Sequence, residues 1–276
     1  MKDPLFDVSG KIVVITGGLG QIGAEFVKEF LRRDAKVAVF SRTASALKAE
    51  KALTKAYAQH TNLLLVTADI TKKDSINNAL DAVEAKWGVS DVLINNAGID
   101  TQPSAPPEVS GPFETFPEEV FREVVETNLV GTFLMTQAFG ARLIKAGKGG
   151  SIINVGSIYG MLSPVQDIYA YKKEMTGVPF IKPVAYSAAK SGIYNLTRYC
   201  ATYWAKQGIR VNTLTPSGVW RETQDEHFHK NYHARMPMGR MAKADEFNGA
   251  VVFLASDAST YMTGSNLVVD GGWTAW

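Results

Sequence analysis

The stretch KIVVITGGLGQIG (11–23) decides the fold of this chain, because it joins an apolar strand to a helix through a turn rich in glycine. Glycines at positions 17, 18, 20 and 23 let the backbone approach a ligand closely. The free N–H groups at the start of the following helix, at Gln21 to Ala24, favour a negatively charged group. A turn of this kind after a first strand is typical of dinucleotide binding through the pyrophosphate, with a plain glycine-rich connection as the alternative.

A short apolar strand followed by a longer helical segment recurs along the whole chain. The helical segments, such as QIGAEFVKEFLRR (21–33), have apolar residues three and four positions apart. The strand candidates are apolar on consecutive positions, as is typical of strands buried on both faces. They are KIVVIT (11–16), KVAVF (36–40), LLLVTA (63–68), DVLINN (91–96), SIINVG (151–156), IRVNTL (209–214) and NLVVD (266–270). The alternation predicts one α/β domain over 1–276, a Rossmann-type doubly wound parallel sheet of about seven strands with helices on both faces.

The bulk composition excludes several classes of protein. With 46% hydrophobic and 20% charged residues among 276, the chain has the composition of an ordinary globular protein. A net charge of +2 gives no indication of a nucleic-acid or membrane partner. The single cysteine, Cys200, excludes an intrachain disulfide. Because the N-terminal residues lack the apolar core of a signal peptide, the expected location is the cytoplasm.

The end of the second strand indicates which cofactor the glycine turn holds. Sites for NAD usually place a carboxylate there, where it accepts a hydrogen bond from the ribose 2′-hydroxyl. In this chain Ser41 occupies that position and Arg42 follows it. A guanidinium can bind a 2′-phosphate through paired charge-assisted hydrogen bonds, whereas a carboxylate would repel it. The sequence therefore favours NADP over NAD, with a solvated loop cation as the alternative for Arg42.

Three further residues point to proton-transfer chemistry. Tyr186 and Lys190 are four positions apart in VAYSAAKSG (184–192), so a helix would place them on one face. A nearby ammonium stabilises a phenolate and is expected to lower the pKa of Tyr186 from the ordinary value of about 10. Ser157 follows the fifth strand, at the edge where open α/β sheets bind ligands, and its hydroxyl could hydrogen-bond a carbonyl oxygen. A surface Tyr/Lys pair and a turn-capping serine are the alternatives.

An ordered series of motifs covers almost the whole chain. The motifs are TGGLGQIG (16–23), ADI (68–70), NNAG (95–98), ETNLVGTF (126–133), NVGSIYG (154–160), YSAAK (186–190), IRVNTLTP (209–216) and TGSNLVVDGG (263–272). The series resembles the short-chain dehydrogenase/reductases, in their single-domain branch. The resemblance implies an enzyme that moves a hydride between a nicotinamide cofactor and a hydroxyl or carbonyl carbon.

The same resemblance implies a catalytic tetrad of Asn128, Ser157, Tyr186 and Lys190. Ser157 would hold the substrate oxygen, and Tyr186 would donate or accept the proton. Lys190 would bind the nicotinamide ribose and lower the pKa of Tyr186. Asn128 would hold a water molecule in the proton relay.

The implied cofactor contacts extend from the glycine turn to the end of the sixth strand. Asp69 and Ile70 would contact the adenine, and Pro216 and Val219 would lie beside the nicotinamide. Family members commonly form tetramers, so a homotetramer or homodimer is expected. The full set of predicted contacts is Gly17, Gly20, Gln21, Ile22, Ser41, Arg42, Asp69, Ile70, Asn96, Ala97, Gly98, Tyr186, Lys190, Pro216 and Val219.

Three features depart from the family pattern. Gln21 stands where the branch has its middle glycine, and the resulting spacing resembles the branch that acts on nucleotide sugars. Arg221 occupies the position that usually offers a threonine to the nicotinamide carboxamide. The segment 163–183 is an insertion between Ser157 and Tyr186 that has no match in the common pattern. We expect this insertion to help wall the substrate pocket, with a subunit contact as the alternative.

A substrate loop is expected at about 219–240, a range that contains His227, His229 and His233. We expect no metal site there, because a flexible loop does not hold converging ligands and their supporting hydrogen bonds. The aromatic tail WTAW (273–276) is expected to pack against a neighbouring subunit.

The leading functional prediction is an NAD(P)-dependent dehydrogenase that interconverts a secondary alcohol and a ketone. Arg221 and Arg235 suggest a polyhydroxylated or anionic small molecule, such as a sugar or polyol derivative, as its substrate. Two alternatives stay open. One is a nucleotide-sugar epimerase or dehydratase with a tightly bound cofactor, and the other is a dinucleotide-sensing protein without catalysis.

Overall fold

Seven parallel strands form the central sheet of the computed structural model, which describes residues 3–102 and 105–276. In chain order the strands are β1 (Ile12–Thr16), β2 (Lys36–Ser41), β3 (Leu63–Thr67), β4 (Val92–Asn95), β5 (Gly150–Val155), β6 (Ile209–Pro216) and β7 (Asn266–Val269). Their order across the sheet is β3-β2-β1-β4-β5-β6-β7. The seven strand predictions and the doubly wound fold class are confirmed.

Helices cover both faces of this sheet. They are α1 (Gln21–Arg32), α2 (Ala46–Ala58), α3 (Lys73–Trp87), α4 (Glu118–Val125), α5 (Gly131–Lys145), α6 (Ile158–Met161), α7 (Tyr171–Thr176), α8 (Val184–Trp204), α9 (Glu226–His233) and α10 (Asn248–Ala255). A π-helical turn, Glu126–Val130, joins α4 to α5. In the part of the chain that the structure describes, no helix is both long and apolar enough to cross a membrane.

The sheet buries one apolar core on each face, because successive strand residues point to opposite sides. On the first face, Val13 and Ile15 of β1 pack with residues of α1, α2 and α10. On the second face, Ile12 and Val14 pack with residues of α3, α5 and α8, including Cys200. The two layers of helices leave the carboxyl edge of the sheet open between them.

A third apolar cluster joins the insertion to the substrate loop and to the C-terminal tail. Tyr169, Tyr171 and Phe180 of the insertion are buried in it, together with Phe228 of the loop and Trp273 of the tail. The ring centroids of Tyr169 and Phe180 are 5.0 Å apart, and those of Tyr169 and Phe228 are 5.7 Å apart. The insertion is therefore folded against its own chain.

The tail differs from the prediction that it packs against a neighbouring subunit. Trp273 stacks on Tyr232 with 4.5 Å between ring centroids, and it is 5% exposed. The prediction is wrong for Trp273, because the third cluster already provides an apolar site for its ring. Trp276 is 78% exposed.

Replacing Phe180 with alanine is expected to lower the free energy of unfolding by about 3–5 kcal/mol, because it removes a buried ring from the third cluster. The matched control is Met175→Ala in the same insertion. The Met175 side chain is 56% exposed, so its loss should change stability by no more than about 0.5 kcal/mol. Urea denaturation compares the two variants. Equal midpoints would contradict the packing of the insertion into the body of the protein.

Candidate active site

A cavity of about 740 Å³ opens at the carboxyl edge of the sheet, beside the ends of β1 and β4. The strand order reverses between these two strands, which is where open α/β sheets bind their ligands. Every cofactor contact predicted from the sequence lines this cavity, and so does Ser157. Of the predicted tetrad, only Asn128 does not line it.

The glycine turn is so tight that its backbone leaves no room for side chains. A Cβ atom added to Gly23 would overlap the backbone oxygen of Gly17, and one added to Gly17 would lie 2.9 Å from the Cα atom of Ala97. Gly17 also has a φ angle of +64°, which residues with side chains rarely adopt. Asn96 fixes this geometry, since its Nδ2 donates to the backbone oxygens of Thr16 and Gly17 at 3.1 Å.

Helix α1 begins directly after the turn, and its first two residues, Gln21 and Ile22, line the cavity. Its N-cap, Gly20, forms no side-chain cap hydrogen bond, so the N–H groups of the first helical turn are available to a ligand. The helix dipole favours a negative charge at the same place. A pyrophosphate matches this cradle in both shape and charge, and the residues present therefore fit a dinucleotide.

Two cations line the cavity near the end of β2, namely Arg42 and Lys48. The strand itself ends on Ser41 and not on a carboxylate. Asp69 also lines the cavity, but its carboxylate accepts hydrogen bonds from the backbone N–H and the hydroxyl of Thr71, at 2.9 and 2.8 Å. These hydrogen bonds lower the pKa of Asp69. Lys48 was not among the predicted contacts, although a cation in the first turn of the helix that follows β2 is a signal that the sequence contains.

The structure brings Ser157, Tyr186 and Lys190 together, although the insertion separates them in sequence. Ser157 is the N-cap of α6, where its hydroxyl accepts from the backbone N–H of Tyr159 at 3.2 Å. The hydroxyl also lies close enough to the Tyr186 phenol to act on its pKa. Tyr186 lies in the first turn of α8, and Lys190 follows one turn later. The Nζ of Lys190 donates to the backbone oxygen of Val155 at 2.7 Å and lies 5.9 Å from the centroid of the Tyr186 ring. A hydroxyl, a phenol and an amine thus meet at one end of the cavity.

Burial changes the pKa of both titratable groups at this end. It raises the pKa of the Tyr186 phenol, and the negative charge of Asp100 raises it further, while the nearby Ser157 hydroxyl acts to lower it. Burial also lowers the pKa of Lys190 to about 8. We predicted that Lys190 lowers the pKa of Tyr186, but in the protein without a cofactor this pKa is raised. The reason is that burial removes water from the phenolate, and this effect is larger than that of the nearby ammonium.

Asn128 lies in the π-helical turn between α4 and α5 and is 0% exposed. Its side-chain oxygen accepts from the backbone N–H of Ile99, and its Nδ2 donates to the backbone oxygen of Ile99, both at 2.8 Å. Both ends of the amide thus contact one residue. The side chain of Asn128 supports the backbone that follows NNAG and does not line the cavity.

A partly buried ion pair that the sequence did not reveal lies beside Tyr186. The ammonium of Lys182 contacts the two carboxylate oxygens of Asp100 at 2.7 and 2.6 Å, and it donates to the backbone oxygen of Thr101 at 2.9 Å. The same ammonium lies 5.5 Å from the centroid of the Tyr186 ring. Asp100 and Lys182 are 82 positions apart, so no local spacing indicates the pair. Both residues line the cavity.

The wall around this ion pair is aromatic. Tyr159, Tyr169, Phe228 and Tyr232 line the cavity beside it. Tyr169 belongs to the insertion, as does Lys182, so the insertion contributes both an apolar and a charged side chain to the wall. Phe228 and Tyr232 come from α9, within the predicted substrate loop.

Two of the departures from the family pattern contact each other. The Nε of Arg221 donates to the side-chain oxygen of Gln21, and the Nε2 of Gln21 donates to the backbone oxygen of Trp220 at 2.7 Å. Arg221 is therefore held at the glycine turn. Arg235 forms an ion pair with Asp167 at 3.6 Å and does not line the cavity. Neither arginine thus supports the prediction of an anionic substrate.

The histidines of the substrate loop pack against other rings. His229 and His233 stack with 5.7 Å between their centroids, and His229 also stacks with Trp220. His227 stacks on Tyr171 of the insertion. Within residues 3–102 and 105–276, no group of three His, Cys, Asp or Glu side chains is arranged to hold a metal ion.

Known proteins match the chain over nearly its whole length. The family model described as enoyl-(acyl carrier protein) reductase matches residues 18–274. The D-threitol dehydrogenase of Mycolicibacterium smegmatis is 32% identical, and the match covers 98% of this chain and 95% of that protein. A short chain dehydrogenase from Leptospira borgpetersenii with bound NAD⁺ has a TM-score of 0.84 and 35% identity, with 99% of this chain and 96% of that chain covered. A gluconate 5-dehydrogenase from Burkholderia cenocepacia, in complex with NADP and tartrate, has a TM-score of 0.82 and 28% identity, with 99% and 98% covered.

Proposed function

Because the chain belongs to the short-chain dehydrogenase/reductase family, we propose that it oxidises a secondary hydroxyl group of a polyol or sugar-derived substrate to a ketone. It is an NAD(P)-dependent dehydrogenase, and the named relatives act on CH–OH groups. The observation that carries the proposal is the meeting of Ser157, Tyr186 and Lys190 at one end of a cavity whose other end fits a dinucleotide. The relatives named for D-threitol and gluconate support a polyhydroxylated substrate.

In the proposed reaction the substrate hydroxyl loses its proton to Tyr186. The oxidised nicotinamide, when bound, supplies the acceptor for the hydride. The Oη of the Tyr186 phenolate accepts the hydroxyl proton, while the Ser157 hydroxyl donates a hydrogen bond to the same substrate oxygen. The charge of Lys190, 5.9 Å from the Tyr186 ring, stabilises the phenolate. In the reverse direction the neutral phenol returns the proton to the ketone oxygen.

The dinucleotide would lie along the cavity between its two ends. We propose that Asp69 and Ile70 contact the adenine, that the turn at 17–22 holds the pyrophosphate, and that Pro216 and Val219 lie beside the nicotinamide. This assignment is supported by the cavity, which is lined by Gly17, Gly20, Gln21 and Ile22 of the turn together with Asp69, Ile70, Pro216 and Val219. The side chain of Asn128 would act indirectly, through the backbone that follows NNAG.

A panel of alditols, aldonates and simple secondary alcohols, offered with each nicotinamide cofactor, tests the proposed function. The absorbance of the reduced nicotinamide reports turnover, and the fastest turnover is expected with a polyhydroxylated compound. If the protein bound the dinucleotide but oxidised none of these alcohols, the proposed reaction would be wrong.

We further propose that NADP(H) is bound in preference to NAD(H). Arg42 and Lys48 line the cavity close to the end of β2, where a 2′-phosphate would need positive charge. Ser41 ends the strand, so no carboxylate at that position repels the phosphate. Equal affinities of the unsubstituted protein for the two cofactors would contradict this preference.

Replacing Arg42 with alanine is expected to raise the Kd of NADPH by about tenfold or more, since a charge-assisted hydrogen bond contributes about 1.5–3 kcal/mol. The Kd of NADH should stay nearly unchanged, because only the 2′-phosphate loses its partner. Fluorescence titration measures both constants. The matched control is Arg122→Ala on α4, whose exposed side chain pairs with Glu118 outside the cavity. Equal weakening of both cofactors by Arg42→Ala would show that Arg42 does not recognise the phosphate.

We propose that the chain forms a homotetramer or homodimer in the cytoplasm. Helix α8 exposes Tyr199 and Tyr203, each 65% accessible, with their rings stacked at 5.9 Å. Phe133 on α5 is 41% exposed. Large exposed aromatic side chains support an interface between subunits. Light scattering on purified protein measures the number of subunits.

A further inference from the structure

The ion pair of Asp100 and Lys182 is the charged feature of the cavity nearest to Tyr186 that the proposed chemistry does not use. The side chain of Lys182 is 5% exposed and that of Asp100 is 28% exposed. The backbone of Lys182 is fixed by Gln166, whose side chain donates to the Lys182 backbone oxygen at 3.1 Å and accepts from the Lys182 backbone N–H at 2.9 Å. The pair is therefore held rigidly in the wall where a substrate must lie to reach Tyr186.

Lys182 has no free N–H donor with which to bind a substrate. An ammonium carries three N–H donors, and here they meet the two carboxylate oxygens of Asp100 and the backbone oxygen of Thr101. A substrate carboxylate could bind Lys182 only by displacing one of these partners. The carboxylate of Asp100 keeps further lone pairs, and it is the more exposed member of the pair. The pair thus presents an acceptor to the cavity.

Three phenols that line the cavity, those of Tyr159, Tyr169 and Tyr186, lie near the carboxylate of Asp100. Burial raises the pKa of these three phenols, and the negative charge of Asp100 raises it further. A substrate carboxylate in the same space would lie against the carboxylate of Asp100 and would gain no hydrogen bond from Lys182, whose donors are all used.

The other cations that line the cavity do not offset the charge of Asp100 at the end of the cavity beside Tyr186. Arg42 and Lys48 lie near the end of β2, and Arg221 is bound to Gln21 at the glycine turn. Lys190 is buried under Tyr186 and donates to a backbone oxygen. A substrate carboxylate would therefore find a carboxylate in the wall and no available cation.

We propose that Asp100, held by Lys182, makes the enzyme select neutral polyhydroxylated substrates over sugar acids. The inference rests on the proposed function and narrows its substrate class to alditols and the corresponding ketoses. One oxygen of Asp100 accepts a hydrogen bond from a hydroxyl of the substrate, which positions a neighbouring carbinol carbon at Tyr186. The same oxygen repels the carboxylate of an aldonate.

Three proteins test this proposal: the unsubstituted enzyme, Asp100→Asn, and the double variant Asp100→Asn with Lys182→Met. The measured quantity is the ratio of kcat/KM for arabinitol to kcat/KM for arabinonate. The ratio should be at least about tenfold in favour of arabinitol in the unsubstituted enzyme, given the strength of charge repulsion in a partly buried site. It should fall in the double variant, which has neither charge. It should fall furthest in Asp100→Asn, because the freed ammonium of Lys182 then attracts the carboxylate.

A matched control is Asp167→Asn, which makes the same chemical change at an exposed carboxylate of the insertion outside the cavity. Its ratio should equal that of the unsubstituted enzyme. If Asp100→Asn fails to fold because Lys182 is left unpaired, the double variant decides, since it leaves no buried charge behind. The same ratio in all variants, or a preference of the unsubstituted enzyme for arabinonate, would overturn the inference alone. If no protein oxidised any alditol or aldonate while still binding the dinucleotide, the proposed function would fall and the inference with it.

Discussion

Replacing Tyr186 with phenylalanine is expected to lower kcat by about a hundredfold or more, because the proton of the substrate hydroxyl then has no acceptor at the reacting oxygen. The ring itself stays, so its packing beside Lys182 and Lys190 is retained. Dinucleotide affinity and thermal stability should therefore change little. Steady-state kinetics measures kcat, and a fluorescence titration of the same preparation measures the Kd of the cofactor.

The matched control for this substitution is Tyr199→Phe on the same helix, since Tyr199 is 65% exposed and does not line the cavity. Its kcat should equal that of the unsubstituted enzyme. An unchanged kcat in Tyr186→Phe would remove Tyr186 from the proposed mechanism. A large loss of cofactor affinity in that variant would instead show that the phenol serves binding and not proton transfer.

Replacing Gly23 with alanine is expected to weaken the binding of both dinucleotides by about a hundredfold, because the turn must open and lose about two charge-assisted hydrogen bonds to the pyrophosphate. The added Cβ atom would overlap the backbone oxygen of Gly17, lie 2.7 Å from the Nδ2 of Asn96 and lie 2.9 Å from the Cα of Gly18. Two of these neighbours are backbone atoms, which cannot move aside without deforming the turn. Isothermal titration with NADPH and NADH measures the loss.

The control for this substitution is Gly249→Ala in the exposed first turn of α10. A Cβ atom at Gly249 would meet no other atom within 4 Å. Alanine should therefore leave both affinities unchanged and raise stability by about 0.5–1 kcal/mol, because it favours the helix. Unaltered cofactor binding in Gly23→Ala would mean that the dinucleotide does not lie against the glycine turn.

The strands and many of the residues that line the cavity could be predicted from the sequence, because both depend on local patterns. Apolar runs such as IVVIT at 12–16 specify strands buried on both faces, and the spacing of Tyr186 and Lys190 specifies one face of a helix. The placement of Ser157 against Tyr186 followed from the family resemblance and not from spacing, since an insertion of unknown path lies between them.

Other features could not be predicted from the sequence, because they depend on contacts between segments that are distant along the chain. Asp100 and Lys182 pair across 82 positions, and neither residue stands in a local pattern that requires the other. The side chain of Asn128 contacts Ile99 across 29 positions. The sign of the pKa change at Tyr186 depends on how deeply the site is buried, and burial is a property of the whole fold.

The hydrogen bond between Gln21 and Arg221 makes two positions that are 200 residues apart energetically coupled. Substituting either one leaves the polar group of the other without its partner, so the effects of the single substitutions do not sum to that of the double. Gln21 and Arg221 are therefore best regarded as one joint departure from the glycine and threonine that are usual at these positions. As a consequence, a substitution in the glycine turn of this chain changes the surroundings of residue 221, in the segment 219–240, and the reverse is equally true.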